Sequence, residues 1–354
     1  MVETLKIERR LRPETRVRSV DFSNIAFGRV YSDHMFQAEY LNGEWGKLRI
    51  EPYDYLPLLP GTTSLHYGQS IFEGLKAYKT QAGDIAVFRP EMNARRFNIS
   101  AERMCIPPIP EELFLGAMTE LLRIDRDWVP SHPGTSLYIR PFAFACDEYI
   151  GLRPSSQFRF IIFSCPVGSY YSKPVKVRIE THFSRTVVGG TGYAKAAGNY
   201  GGSLYPAQLA QKEGYDQLIW TDALKHEYIE EAGTMNLMFV IGDTLITAEA
   251  GETVLRGITR DSILELAREW GVKVEVRKVT VDEIIDALQK STLTEAFGTG
   301  TAATVTSISL ISHGGIDYEL PPVGESFFSQ RVLRELDDIR YGRKEDHRGW
   351  MCKI

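Results

Sequence analysis

Cysteine is scarce in this chain, and none of it is spaced for a metal or a redox pair. Cys105, Cys146, Cys165 and Cys352 lie far apart, with no C-x-x-C and no histidine at ligand spacing. A zinc site and a disulfide framework are both excluded, no metal is expected, and reduced thiols suit a cytosolic protein. Nowhere are there the ~18 consecutive apolar residues of a membrane helix, and the start M-V-E-T-L-K-I-E-R-R lacks the apolar stretch of a signal peptide. The expectation is a cytoplasmic protein with no membrane partner. Positive charge is not in excess: 41 Lys and Arg stand against 46 Asp and Glu, a net −5, with the basic residues scattered. That excludes a phosphate-backbone footprint, so no nucleic-acid partner is expected. Low-complexity tracts and internal repeats are also missing. G-T-G-T at Gly298 to Thr301 fails the G-x-G-x-x-G pattern, which leaves a nucleotide-binding oxidoreductase little support.

What is present is a soluble globular composition, 43% hydrophobic and 25% charged over 354 residues. That length exceeds what one core usually serves, so two domains are expected. The class is mixed α/β. Ile85 to Phe88 reads as a strand and Glu111 to Ile124 as an apolar-periodic helix. Leu137 to Phe144 and Phe158 to Cys165 are aromatic, β-branched strand runs, and Val175 to Ile179 is another. Thr181 to Gly202 is small and glycine-heavy, which suits a linker and a loop approaching something closely. The expected division is an N-terminal α/β domain over 1–171, a linker over 172–185 and a second domain over 186–354. In the second half, Gln217 to Trp220 and Leu237 to Ile241 read as strands. One helix follows, with Thr259 available as its cap and Gly271 as its stop. Thr280 to Glu283 forms a capping box.

Lys195 is the only charged side chain between Arg185 and Lys212, in a run of small residues. A desolvated lysine is a nucleophile toward an aldehyde, though a lone lysine reads as readily as an exposed loop residue. A pyridoxal-phosphate enzyme would also need an anion for the pyridinium nitrogen. Glu230 and Glu231 stand before an apolar strand and point to opposite sides of it, so only one could serve. For a phosphate, helix starts at Gly257, Ile258 and Thr259, or a nest at Gly298, Gly300 and Thr301, offer N–H groups. Arg140 lies in an apolar strand. It implies a carboxylate partner if it faces inward, while Pro141 is equally consistent with an outward arginine on an edge strand.

Taken together, the motifs resemble the branched-chain amino acid aminotransferases of the fold-type IV, class IV pyridoxal-phosphate enzymes. The resemblance runs from F-G-R-V-Y-S-D-H-M-F at Phe27 to D-I-R-Y-G-R ending at Arg343. It includes L-H-Y-G-Q-S-I-F-E-G-L-K-A-Y, F-R-P-E-M-N-A-R-R-F, C-P-V-G-S-Y, A-K-A-A-G-N-Y-G, E-A-G-T-M-N and F-G-T-G-T-A. It implies that Lys195 is the Schiff-base lysine, that Glu231 pairs with the pyridine nitrogen, and that Tyr200 bonds the ring's phenolic oxygen. Arg96, rather than Arg95, would bind phosphate with Ile258, Thr259 and Thr301. Thr234 and Ala302 resemble the α-carboxylate site; Phe27, Tyr67, Phe72, Tyr138 and Tyr170 resemble the wall around an aliphatic side chain. Arg140 would answer the distal carboxylate of glutamate. The implied activity is transamination between leucine, isoleucine or valine and 2-oxoglutarate, in branched-chain amino acid biosynthesis, by a homodimer whose 1–171 domain is the smaller and whose 186–354 domain is the larger, cofactor-binding one.

Some animal members carry a C-x-x-C after the G-T-A-like turn, where this chain has Ala303, Thr304, Val305 and Thr306. The competing readings are a D-amino acid aminotransferase, an aminodeoxychorismate lyase, or a protein that holds the cofactor without turnover. Tyr67, Phe72 and Arg140 argue against the first two.

Overall fold

The computed structural model describes residues 5–168 and 173–354, so Tyr170 lies outside the described residues. The chain forms two compact units: Met1–Tyr170 with Ala194–Gly198 and Asp338–Ile354, and Tyr171–Tyr193 with Asn199–Asp337. The division expected at 172–185 follows chain order. Packing instead places the Lys195 segment and the C-terminal strand in the first unit, because Ala196 bridges to Ile71 and Met351–Lys353 pairs with Ile85–Phe88. The stretch expected as linker contains the strand Val175–Ile179.

In the first unit the sheet runs Glu8–Arg9, Glu44–Pro52, His34–Leu41, Phe158–Val167, Ser136–Ala145, Leu75–Lys79, Ile85–Phe88 and Met351–Lys353. Ser70–Phe72 also pairs with Ser136–Ala145. Apart from Arg159, the run F-R-F-I-I-F is apolar because both faces are covered. Phe158, Phe160 and Ile162 join the main core, whereas Ile161 and Phe163 pack with Met35 and Phe144 on the other side. Helix Glu111–Ile124 buries Leu113, Phe114, Ala117, Met118, Leu121 and Leu122 along one stripe, and Phe114 stacks on Phe160 at 5.8 Å.

Arg140 and Pro141 are not on an edge. Their strand is paired on both sides, and the proline is accommodated because its neighbour on one side is interrupted. Phe72 pairs with Phe142 and Leu75 with Ile139, so Glu73 and Gly74 fill a gap opposite Pro141, and the Pro141 carbonyl accepts from Glu73 N at 2.8 Å.

The second unit closes a sheet on itself. Met235–Ile241, Leu293–Gly300, Thr304–His313, Val175–Ile179, Gln217–Thr221 and Tyr228–Ala232 follow in order, and the last pairs back to the first through Glu231 and Asn236. A two-residue turn at Gly233 and Thr234 joins that final pair, with Gly233 at φ +55°. Of the expected capping box the Thr280 half is present, since Glu283 N donates to Thr280 Oγ1 at 3.1 Å, while the Glu283 carboxylate accepts from Arg277.

Two local expectations change. The N-cap of helix Ile258–Glu269 is Gly257, not Thr259, which lies inside the first turn; Gly271 does follow the helix at φ +69°. The glycine-heavy stretch ends earlier than its composition suggests, because a helix begins at Ala197 and runs to Lys212 through Gly201, Gly202 and Pro206. Among the described residues no helix is long and apolar enough to cross a membrane.

Candidate active site

In the first unit, helix Pro90–Arg103 starts with proline at its first position and presents a buried polar row, Asn93, Arg96 and Ser100, at i, i+3 and i+7. Each member of that row holds something. Ser100 Oγ accepts from Lys195 N at 2.9 Å, while Asn93 and Arg96 both bond the Glu73 carboxylate. Phe72 N donates to the Lys195 carbonyl at 3.1 Å. The lysine's main chain is therefore pinned on both sides, and its amine stands 5.0 Å from the Phe72 ring centroid.

The same ring meets a second cation. Arg140 lies 4.6 Å from the Phe72 centroid and 5.3 Å from that of Tyr138, and its Nη2 donates to the Tyr138 hydroxyl at 3.0 Å. No carboxylate lies within ion-pairing distance of Arg140 among the described residues, and its Nε is buried without a hydrogen-bond partner. Phe27 packs edge-on against Tyr138 at 5.2 Å. Lys195, Phe72, Arg140, Tyr138 and Phe27 thus form one contiguous set. Tyr67 stands at the end of the short helix Thr63–Tyr67, 39% exposed, with its ring 6.1 Å from His66.

In the second unit Glu231 is buried and surrounded by donors. Arg185 Nη2 lies 2.6 Å from Oε2, while Asn236 Nδ2 and Leu255 N each donate to Oε1 at 3.0 Å. This set matches a carboxylate anion. Glu230, on the opposite side of the strand, differs. Burial pushes its carboxyl above the ordinary value, only partly opposed by a Thr253 hydrogen bond and the Arg185 charge, and its Oε2 has no hydrogen-bond partner among the described residues.

Helix Ile258–Glu269 has no side-chain cap, so the N–H groups of Ile258, Thr259 and Arg260 point out of its start. Ile258 and Thr259 are buried there. Arg260, also buried, bonds the Ala248 carbonyl at 2.7 Å, and burial is the main influence lowering its basicity. A Cβ on Gly257 would lie 1.9 Å from Asn236 Oδ1. One asparagine therefore touches both the Glu231 carboxylate and the helix start. Such an uncapped start suits a phosphate, and Glu231 suits a protonated ring nitrogen.

Residues 70–311 match the family described as amino-transferase class IV. The branched-chain-amino-acid transaminase 1 of Bacillus subtilis (strain 168) is 41% identical over 339 residues, 94% of this chain and 95% of its own. The chain belongs to the branched-chain aminotransferases of class IV. The aminotransferase shares its mixed α/β, fold-type IV architecture with solved relatives. The branched-chain aminotransferase of Thermoproteus uzoniensis, solved with norvaline, superposes at TM-score 0.74 with 25% identity, covering 90% of this chain and 99% of that one. The T.th. branched-chain amino acid aminotransferase, complexed with N-(5'-phosphopyridoxyl)-L-glutamate, superposes at 0.70 with 26% identity, covering 89% and 97%.

The remaining residues singled out from the sequence of this aminotransferase fall in turns or helix starts. Thr234 is exposed in the Gly233 turn, Thr301 and Ala302 are half-buried between Leu293–Gly300 and Thr304–His313, and Tyr200 is half-buried in the first turn of Ala197–Lys212. Sequence reasoning missed Glu73, Asn93, Ser100, Arg185, Asn236 and Arg260. The helical spacing of Asn93, Arg96 and Ser100 was the available signal for two of them.

Proposed function

We propose that this aminotransferase exchanges the amino group of leucine, isoleucine or valine with 2-oxoglutarate, using pyridoxal 5'-phosphate and one substrate pocket in turn for both partners. The observation that carries the reading is the Phe72 ring with the Lys195 amine at 5.0 Å and the Arg140 guanidinium at 4.6 Å. An apolar surface beside a nucleophile and a cation that no carboxylate among the described residues pairs suits an aliphatic side chain and a distal carboxylate alike. The T.th. relative's complex with a phosphopyridoxyl-glutamate supports both the cofactor and the second substrate.

When bound, pyridoxal phosphate supplies an aldehyde carbon for the amino group and a ring that accepts electrons. Lys195 would hold the cofactor covalently and move the proton between the substrate's α-carbon and the cofactor's C4′. Glu231, held by Arg185 and Asn236, would keep a proton on the pyridine nitrogen. Tyr200 would bond the phenolic oxygen. Ile258, Thr259, Thr301 and Arg96 would take the phosphate, and Thr234 with Ala302 the α-carboxylate. Phe27, Phe72 and Tyr138, with Tyr67 and Tyr170, would wall the aliphatic side chain. Such a wall separates branched chains from polar ones but distinguishes among leucine, isoleucine and valine by only ~1–3 kcal/mol, so all three should be used.

The assembly belongs to the same proposal: a cytoplasmic homodimer, in which large apolar side chains left exposed at Tyr55, Leu65, Ile150 and Leu152 would be covered by a second copy. The visible spectrum of the purified protein tests the function. Leucine should change it, and 2-oxoglutarate should then restore it. A spectrum that leucine leaves unaltered would indicate a protein that holds the cofactor without turning over these substrates.

A further inference from the structure

Glu73 is fully buried in the strand gap opposite Pro141. A carboxylate there must be surrounded by donors, because an unpaired buried charge is costly. Arg96 donates through Nε at 2.7 Å and Nη2 at 2.8 Å, Asn93 Nδ2 at 2.8 Å and Gly74 N at 3.1 Å. Burial alone would raise the carboxyl. The Arg96 charge and hydrogen bond, the Lys195 charge and Asn93 outweigh that and hold it below the ordinary carboxylate range.

A buried ion pair is weak evidence for stability, since a hydrophobic pair of similar volume is often as stable. Here the geometry offers another use. The carboxylate grips the Nε and Nη2 edge of the guanidinium, which fixes its plane and turns the Nη1 end away from Glu73 in a single direction. Helix Pro90–Arg103 sets where the arginine's main chain lies, and Glu73, from a different element, sets how its head group is aimed.

We propose that Glu73 is a positioning residue for anion recognition, aiming Arg96 at the cofactor's phosphate and so setting the preference for the phosphorylated over the unphosphorylated aldehyde. This rests on Arg96 being a phosphate ligand. Orienting partners at metal sites carry about 10- to 100-fold in affinity, and a loss at the lower end of that range is expected here.

The test strips the cofactor from the holoenzyme and titrates it back with pyridoxal phosphate and, separately, with pyridoxal. The proteins are the wild type, Glu73→Gln, Arg96→Gln and the double variant. Glu73→Gln should lose about tenfold or more in affinity for pyridoxal phosphate while pyridoxal is unaffected. The double variant should be no worse than Arg96→Gln, because without the arginine there is nothing to aim. Equal weakening of both aldehydes by Glu73→Gln, or additive losses in the double variant, would overturn the positioning role. If Arg96→Gln keeps the wild-type preference for the phosphorylated form, the phosphate reading of Arg96 itself fails. Should Glu73→Gln not fold, Glu73→Asp keeps the charge with a shorter reach and should show the same selective loss; a wild-type preference in that variant overturns the proposal.

Discussion

The backbone N–H of Phe72 donates to the carbonyl of Lys195, 3.1 Å away. With Ser100 Oγ accepting from the lysine's own N–H, this bond fixes the main chain on both sides of the amine. The position of Lys195 is set by a sheet strand and a helix rather than by a loop. Borohydride reduction followed by peptide mapping should place the pyridoxyl label on Lys195, and Lys195→Ala should abolish turnover. A label on another buried lysine such as Lys76 defeats the assignment.

Arg140→Leu separates the two half-reactions. A charge-assisted bond to the distal carboxylate contributes ~1.5–3 kcal/mol, so the glutamate and 2-oxoglutarate half-reaction should fall at least about tenfold relative to that of leucine. Stopped-flow measurement of each half-reaction decides. A parallel fall in both shows that the arginine only supports its strand.

Gly74 gives Tyr138 its place. A Cβ there would lie 2.1 Å from the Tyr138 hydroxyl, the same hydroxyl that receives Arg140 Nη2. Gly74→Ala should therefore displace the tyrosine, release the arginine, and raise KM for glutamate more than for leucine. Unchanged KM values for both amino acids would show that the contact is relieved without moving Arg140.

Glu230 and Glu231 should respond oppositely to amidation. Burial chiefly raises the Glu230 carboxyl above its ordinary 4.5. Its contribution to stability is thus fully present below 4.5 and lost as pH rises through the folded value, since the folded state holds the proton longer than the unfolded chain. Glu230→Gln should unfold at a higher temperature than wild type near pH ~8, with the difference shrinking in acid. Glu231→Gln leaves the buried Arg185 facing a neutral amide, which should destabilise by roughly 3–5 kcal/mol and cut turnover by orders of magnitude. Indistinguishable melting curves for the two variants at alkaline pH would remove this distinction.

Mild peroxide should leave activity intact. All four cysteines are free, and burial pushes the Cys146 and Cys165 thiols up to about 11, which suppresses the reactive thiolate. Ala303 and Thr306 offer no sulfur at the turn. Inactivation that dithiothreitol reverses would direct attention to the exposed Cys105.

Local pattern was enough wherever one short segment carried its own reason to fold. The helix Glu111–Ile124, the strands Ile85–Phe88 and Val175–Ile179, and the Thr280 side-chain cap occur where apolar periodicity and capping chemistry put them. The order of the long motifs likewise pointed to the family, because each retains its residue types in one chain. Composition misled where side-chain size was mistaken for backbone state, as at Gly201 and Gly202, which continue a helix.

What the sequence alone determined, then, was which side chains could do chemistry: one isolated lysine, two adjacent glutamates and an arginine in an apolar strand. Only the tertiary structure decided what surrounds each of them. Ring closure of the second sheet sets Asn236 beside Glu231 and leaves Glu230 short of donors. An interrupted neighbouring strand lets Pro141 sit inside a sheet and lodges Glu73 against Arg96, 23 residues along the chain. The physical reason is that hydrogen-bond partners of buried charges come from segments distant in sequence, and no local periodicity records which distant segment will supply them.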